Sequence, residues 1–158
     1  MPKVIVNTTP LIVLADVGQF DLLRKLYGEI MIPQAVLEEI RSQPAKRLTA
    51  SSDWIKIVRV TNKEDRSLFR ARLHAGEVEV MLLAQEQNAD LVIMDDNAAK
   101  KTAKFMGLKV TGTLGVLLRA KREGYIQEIK PIIRAMAADG FYIDEKTKRY
   151  VLDAAKET

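Results

Sequence analysis

The sequence predicts a three-layer α/β/α domain with a mostly parallel central sheet. Short apolar runs alternate with segments of helical spacing along the 158 residues, which is the pattern of strand–helix–strand units. The run Leu91-Val92-Ile93-Met94 has no polar position, as expected of a strand covered on both faces. The length suits one domain with a real core. We assign residues 1–158 to it, with 126–158 as a C-terminal helical extension.

The first half of the chain supplies three strands and the helices between them. Thr8-Thr9-Pro10 offers cap-type residues and a proline suited to a first helical turn, and Pro33 starts a later helix in the same way. The third strand has an equivocal composition and is placed at an edge. The predicted strands are residues 4–6, 29–32 and 54–60, the predicted helices are 11–17, 20–26 and 34–42, and residues 43–53 are predicted to be a loop.

The second half begins with a helical segment that leads through Ala75-Gly76 into a very apolar helix. The buried strand that follows ends in an acidic pair, Asp95-Asp96, before the next helix. The predicted strands are residues 91–94 and 108–110, and the predicted helices are 66–74, 77–87, 97–106 and 113–123. Residues 126–157 are expected to form two helices around Asp139-Gly140-Phe141.

Composition limits the chemistry that is open to the chain. It has no cysteine and one histidine, His74, which excludes disulfides and thiolate sites and argues against zinc sites and histidine triads. Any metal must therefore have oxygen ligands, which favours Mg²⁺ or Mn²⁺. The net charge of +4 is too modest to identify a nucleic-acid binder by itself. No apolar run approaches the roughly 20 residues of a membrane span, so we expect a cytoplasmic protein without membrane contact.

Five polar side chains stand where the fold would otherwise use apolar or plain turn residues. Asn7 and Asp95 follow predicted strands, whose carboxyl ends meet at one edge of a parallel sheet. Glu77 lies on the apolar face of its helix, where a carboxylate is costly unless it is paired or bound to metal. Glu39 lies nearer the apolar side of its helix than Glu38 does. Together with Asp96, these groups predict an acidic pocket for a divalent cation.

Each of these residues also has an ordinary structural interpretation. Glu77 could simply occupy a first helical turn, where negative charge suits the helix dipole. One of Asp95 and Asp96 is expected to be a helix cap, with Asp95 the stronger candidate for the site. Asn7 fits a turn or cap equally well, and for Thr113 a cap is favoured over a contact with a ligand phosphate.

Two basic clusters follow the acidic pair. Lys100, Lys101 and Lys104 share one helix, and a second cluster lies in residues 119–122. Such clusters usually form a solvated face, but beside an acidic site they could hold the phosphates of a nucleic-acid strand. His74 is expected at the surface.

The ordered set of motifs resembles the PIN domains, specifically a subgroup first catalogued as a domain of unknown function. The resemblance covers roughly residues 3 to 142. The motifs that carry it are Val4-Ile5-Val6-Asn7-Thr8-Thr9-Pro10-Leu11-Ile12, Ile32-Pro33-Gln34-Ala35-Val36-Leu37-Glu38-Glu39-Ile40, Gly76-Glu77-Val78-Glu79, Ile93-Met94-Asp95-Asp96 and Gly112-Thr113-Leu114-Gly115.

The resemblance implies a Mg²⁺- or Mn²⁺-dependent ribonuclease, with single-stranded RNA as substrate. It implies that Glu39, Glu77 and Asp95 or Asp96 belong to a catalytic metal site, with Asn7 at the position of the first aspartate. Lys100, Lys101 and Thr113 are the candidate substrate contacts. It further suggests the toxin half of a toxin–antitoxin pair, an antitoxin protein as partner, and a homodimer or higher homo-oligomer.

The amide at position 7 leaves a second interpretation open. Asn7 can coordinate Mg²⁺ through its oxygen but brings no negative charge, so the alternative is a catalytically weak or inactive PIN-like domain that binds RNA or protein. A receiver or phosphatase domain is a third option. Those folds usually place an aspartate at the end of the first strand, where this chain has Asn7.

Overall fold

The computed structural model describes residues 2–61 and 74–158, and its sheet has five parallel strands in the order β3-β2-β1-β4-β5. The strands are β1 Val4–Val6, β2 Ile30–Pro33, β3 Ile55–Val58, β4 Leu91–Ile93 and β5 Val110–Thr111. Helices flank this sheet, which confirms the predicted α/β class. The chain winds outward from β1 through β2 to β3 and then crosses back to β4. The boundary between β1 and β4 is therefore the topological switch point, where parallel sheets bind ligands beyond their carboxyl ends.

The centre of the sheet is held by apolar strands that are buried on both faces. All three residues of β1 are buried, and β1 pairs with β4 in the register Val4 to Leu91, Ile5 to Val92 and Val6 to Ile93. Because β1 and β4 end at the same level, Asn7, directly after β1, and Asp95, two positions after the end of β4, emerge at the same edge.

The described helices surround the sheet in chain order. They are α1 Thr8–Asp16, α2 Leu22–Tyr27, α3 Gln34–Glu39, α4 Gln43–Ser51, α5 Ala75–Gln87, α6 Asn97–Phe105, α7 Thr113–Arg122, α8 Lys130–Ala138 and α9 Glu145–Ala154. Every residue of α5 from Gly76 to Ala84 is buried, and a helix that is apolar on all sides is one that packs within a core. The two carboxylates in this stretch are thus buried by the packing of α5 itself.

The loop predicted for residues 43–53 is wrong, because residues Gln43–Ser51 form α4. Pro44 stands in the first turn, where its fixed φ suits helix initiation, and Ala45 and Thr49, four residues apart, make one buried face. The preceding helix, predicted to reach residue 42, ends at Glu39 because Ile40 is already extended. The helix predicted at residues 66–74 falls mainly on residues outside the described ranges.

The C-terminal segment contains two helices, α8 and α9, on either side of residues 139–141, as predicted. The Glu157 carboxylate joins them to the rest of the fold. It accepts hydrogen bonds from the backbone N–H groups of Ile129 and Lys130, at 2.7 and 2.9 Å, and lies 2.9 Å from Lys121 Nζ. Among the described helices, none is both long and apolar enough to cross a membrane.

Candidate metal centre

Asn7 is the buried polar residue at the centre of the switch point. It is 5% exposed, and its backbone N–H donates to Ile93 O at 2.9 Å, which ties the end of β1 to β4. It occupies the N-cap position of α1, but its side chain makes no cap hydrogen bond. In the described part of the chain, Asn7 Oδ1 is buried without any hydrogen-bond partner. A buried, unsatisfied amide oxygen costs free energy, so the cap interpretation does not account for this side chain.

Glu39, the last residue of α3, connects the start of α1 to the start of α5. Its Oε2 accepts from Thr8 Oγ1 at 2.9 Å, and its Oε1 accepts from Gly76 N at 2.8 Å. Gly76 is required for this approach, because a Cβ added there would lie 2.3 Å from Glu39 Oε2. These hydrogen bonds hold the half-buried Glu39 carboxylate at a fixed place beside Thr8, the residue that follows Asn7.

Glu77 follows Gly76 and is only 6% exposed. Its side chain and that of His74 form a reciprocal capping box at the start of α5, with His74 N donating to Glu77 Oε1 at 3.1 Å. Burial raises the pKa of Glu77, the His74 N–H opposes that rise, and the nearby carboxylates of Asp96 and Glu39 add to it. The carboxylates of Asp96 and Glu39 are therefore close enough to Glu77 to act on it electrostatically, although the three residues come from separate segments of the chain.

The two adjacent aspartates have different contacts. Asp96 is the N-cap of α6, and its Oδ1 accepts from Ala99 N at 2.9 Å. Asp95 instead points toward α7, where Thr113 N donates to its Oδ1 at 2.8 Å and Thr113 Oγ1 donates to its Oδ2 at 2.7 Å. One aspartate is thus a cap, as predicted, and it is Asp96.

Thr113 is not the cap of α7, the role that the sequence favoured for it. Gly112 occupies the N-cap position of α7, and Thr113, which is fully buried, uses its hydroxyl to bind Asp95. A side chain in this setting positions Asp95.

Lys100 and Lys101, the two lysines predicted to contact the substrate, lie in different environments. A Cβ added at Gly112 would lie 2.8 Å from both Lys100 Nζ and Asp95 Oδ1, so the Lys100 ammonium flanks the same glycine as the Asp95 carboxylate. Lys100 is half-buried, whereas Lys101 is exposed on α6. The structure therefore places Lys100 at the acidic site and Lys101 on the open surface beyond it.

The comparison with known families decides the family of this chain. A family model described as a PIN domain matches residues 3–157. The chain belongs to the PIN domain family. Among curated proteins, none matches it. The fold of this PIN domain agrees with the resemblance carried by the sequence motifs, and the match extends through α8 and α9.

PIN domains generally use divalent metal ions. In this chain the unpartnered Asn7 Oδ1 is an oxygen atom that is available as a ligand for such an ion. Within residues 2–61 and 74–158, no three acidic or histidine side chains form a group able to hold a metal ion. A cation here would therefore use fewer carboxylates together with the Asn7 amide oxygen. Oxygen-only ligands, few carboxylates and space for water are what Mg²⁺ sites use. The donor set fits such an ion.

Sequence reasoning missed several residues that build this centre. Thr8 and Gly76 hold Glu39, and Gly112 makes room for Asp95 and Lys100. Glu79 is also buried and accepts from Ala35 N at 3.2 Å. A signal existed for Glu79, because any carboxylate in a helix that is otherwise apolar on every side requires a buried partner.

Proposed function

We propose that this PIN domain is a metal-dependent ribonuclease that hydrolyses phosphodiester bonds in single-stranded RNA. The observation that carries the proposal is the buried, unpartnered Oδ1 of Asn7 at the switch point. Beside it, the carboxylates of Asp96 and Glu39 add to the rise that burial causes in the pKa of Glu77. An oxygen donor in this position has an evident use as a ligand for a hard cation.

In this proposal Asn7, Glu77 and Asp95 hold the cation directly, and Asp96, which caps α6, acts on it only through bound water. Bound Mg²⁺ or Mn²⁺ supplies Lewis-acid stabilisation of charge on the phosphate oxygens and activates water. Burial disfavours the ionised form of Glu77. A neighbouring cation would stabilise that form. Thr113 orients Asp95 through two hydrogen bonds.

Glu39 has the best fixed geometry for orienting the attacking water. Donors from Thr8 and Gly76 occupy one lone pair on each carboxylate oxygen, and each oxygen keeps further acceptor capacity. Lys100 and Lys101 contact phosphates of the substrate. Contacts of this kind position a strand without reading its sequence, and they make binding sensitive to salt.

A second function is favoured by one specific observation, the neutral side chain at position 7. Without its charge the centre binds a cation less tightly, and the chain would then act as an RNA- or protein-binding module with little or no catalysis. Asn7→Asp separates the two functions. If the wild type cleaves RNA, the substitution increases its activity at low metal concentration, and if only the variant cleaves, the wild type is a binding module.

The decisive test is cleavage of a labelled single-stranded RNA with Mn²⁺ or Mg²⁺, by wild type, Glu77→Gln and Glu38→Gln. Glu38 is exposed on α3, one residue from Glu39, and it serves as the matched control. We expect loss of cleavage in Glu77→Gln alone, with metal-dependent stabilisation lost in the same variant. Equal activity in all three proteins, or activity in excess chelator, would reject the proposal.

The biological setting forms part of the same proposal. A toxin role, an antitoxin protein as partner and a homodimer or higher homo-oligomer follow from the family resemblance, and a cytoplasmic location is the expectation from composition. Sedimentation of the purified chain tests the oligomer. Growth arrest on expression, relieved by Glu77→Gln, tests the toxin role.

A further inference from the structure

The most exposed apolar side chain on α6 is Phe105, whose exposure reaches 93%. It is the last residue of the helix that begins directly after the Asp96 cap. A single exposed apolar residue needs no explanation by itself. The surroundings of Phe105 are what make its exposure informative.

Positive charge is concentrated in the chain segment that contains this ring. Residues 97–122 contain seven basic residues and no acidic residue, although the net charge of the whole chain is only +4. The basic residues are Lys100, Lys101, Lys104, Lys109, Arg119, Lys121 and Arg122. The segment comprises α6, β5 and α7, and β5 is an edge strand of the sheet. The basic residues therefore belong to consecutive elements at the β5 edge of the sheet, and the first of these elements begins directly after Asp96.

Several of these cations have partners within the protein, but those beside Phe105 do not. Lys121 binds Glu157, and Arg119 lies over the Tyr27 ring and near Glu123. Lys101 and Lys104 are exposed, and neither forms a salt bridge with any residue that the structure describes. Lys101 is four residues before Phe105 and shares its helical face.

Phe105 lies at the far end of α6, where an RNA strand that leaves the metal centre along this helix would reach it. From Asn97 to Phe105 the helix rises about 12 Å, so the ring lies one helix length away from the Asp96 end. An exposed aromatic face between lysines is how proteins bind single-stranded nucleic acid without sequence preference, with the ring stacking on a base and the cations holding phosphates. Bases in a duplex are already stacked and paired, and cannot use such a face.

On the basis of the proposed function, we propose that Phe105, with Lys101 and Lys104, forms a stacking platform for a base of single-stranded RNA that extends from the metal centre. The platform selects unpaired RNA and holds it next to the site. It has no part in the chemistry itself. Phe105 is thus a binding residue for substrate outside the proposed cation site.

The test measures the affinity of short labelled single-stranded and duplex RNA in excess chelator, where cleavage is suppressed. Phe105→Ala should weaken single-strand binding roughly 5- to 100-fold and leave duplex binding nearly unchanged. Phe105→Trp should retain the affinity, and Phe105→Leu, which keeps an apolar side chain without a ring, should not. Lys101→Gln should reduce the salt dependence of binding by about one phosphate contact.

Tyr142 provides the matched control, because it is another highly exposed aromatic residue, at 84%, outside the basic segment. Tyr142→Ala should leave RNA affinity unchanged. Equal single-strand affinity in wild type and Phe105→Ala would overturn the platform. So would a change in sedimenting mass without a change in RNA affinity, which would assign Phe105 to a contact between two copies of the chain.

Parallel cleavage assays keep the two proposals separate. Cleavage by wild type with normal RNA binding by Phe105→Ala rejects the platform and leaves the ribonuclease proposal standing. Absence of cleavage, with binding that depends on Phe105, rejects catalysis and retains the platform as part of an RNA-binding module. A wild type that binds no single-stranded RNA rejects the platform, whatever its cleavage of other substrates.

Discussion

Thr8 and Glu39 are joined by a 2.9 Å hydrogen bond although they are 31 residues apart in the chain. The same carboxylate accepts from Gly76 N at 2.8 Å. Glu39, at the end of α3, thereby links the start of α1, next to Asn7, to the start of α5, which carries Glu77. The geometry of the candidate centre depends on this link.

Replacement of Gly76 by alanine tests the link directly. The added Cβ would lie 2.3 Å from Glu39 Oε2, so the carboxylate must move and release one or both of its donors. Because a flexible side-chain end is displaced, and alanine is the better helix former by up to about 1 kcal/mol, we expect only a small change in the free energy of unfolding. Activity and metal-dependent stabilisation should fall sharply.

Urea unfolding and Mn²⁺ titration of the same protein measure both effects. Thr8→Val removes the other donor without adding volume and should reproduce the loss of activity. If Gly76→Ala retained full activity and metal response, the position of Glu39 would not matter to the centre.

The contact between Asp95 and Thr113 is expected to contribute both to stability and to the site. Thr113→Val keeps the shape of this fully buried side chain but removes the hydroxyl that donates to Asp95 Oδ2. Hydrogen bonds to charged groups contribute about 1.5–3 kcal/mol, so we expect a loss of that order in urea unfolding, together with weaker metal binding. Thr113→Ser, which retains the hydroxyl, should lose less. Equal stability of the valine and serine variants would contradict this role.

The sheet and the region of the site were predictable because they follow from local patterns. The short run Leu91-Val92-Ile93-Met94, which ends in an acidic pair, is typical of a buried strand. Parallel strands bring their carboxyl ends, hence Asn7 and Asp95, to one edge. No comparable pattern marks α4, whose buried positions are two small residues, Ala45 and Thr49, and whose leucine, Leu48, is exposed.

The partners of the acidic residues could not be predicted, because they come from distant parts of the chain. Thr113 is 18 residues from Asp95, and the Gly76 N–H that binds Glu39 is 37 residues away. A threonine after a glycine has a good local interpretation as a cap, and only tertiary structure replaces it. For Asn7, local sequence fits a cap equally well, and the decisive fact is that Oδ1 lacks a partner among the described residues.

Removal of the Glu77 charge should stabilise the metal-free protein. Burial raises the pKa of this carboxyl, so its ionised form is disfavoured in the fold, and Glu77→Gln can keep the hydrogen bond from His74 N while losing the charge. In chelator near neutral pH we expect a higher unfolding midpoint for the variant than for wild type. Because a raised pKa makes wild type relatively more stable as pH falls, the difference should shrink toward about pH 4, near the ordinary glutamate value.

Chemical unfolding of both proteins across this pH range gives the result, with Glu38→Gln as the exposed control. With saturating Mn²⁺ the order should reverse, since only wild type gains stability from a ligand that binds the folded state. A variant less stable than wild type in chelator would mean that the charge of Glu77 is already compensated within the protein.

Glu157 should show the opposite pH dependence. Burial acts to raise the pKa of its carboxyl, but the N–H groups of Ile129 and Lys130 and the Lys121 ammonium outweigh burial and hold that pKa below its usual value. A lowered pKa contributes stability above the unfolded value of about 4.3, and the contribution disappears as pH falls through the folded pKa. Glu157→Gln should therefore cost about 1 kcal/mol at neutral pH, as for the loss of a helix cap, and nothing at strongly acidic pH. Glu128 is an exposed neighbour of the same helix start, and Glu128→Gln should leave the free energy of unfolding unchanged at both pH values. A loss of stability in Glu157→Gln that does not depend on pH would show that packing of α9, not charge, holds the C-terminal segment in place.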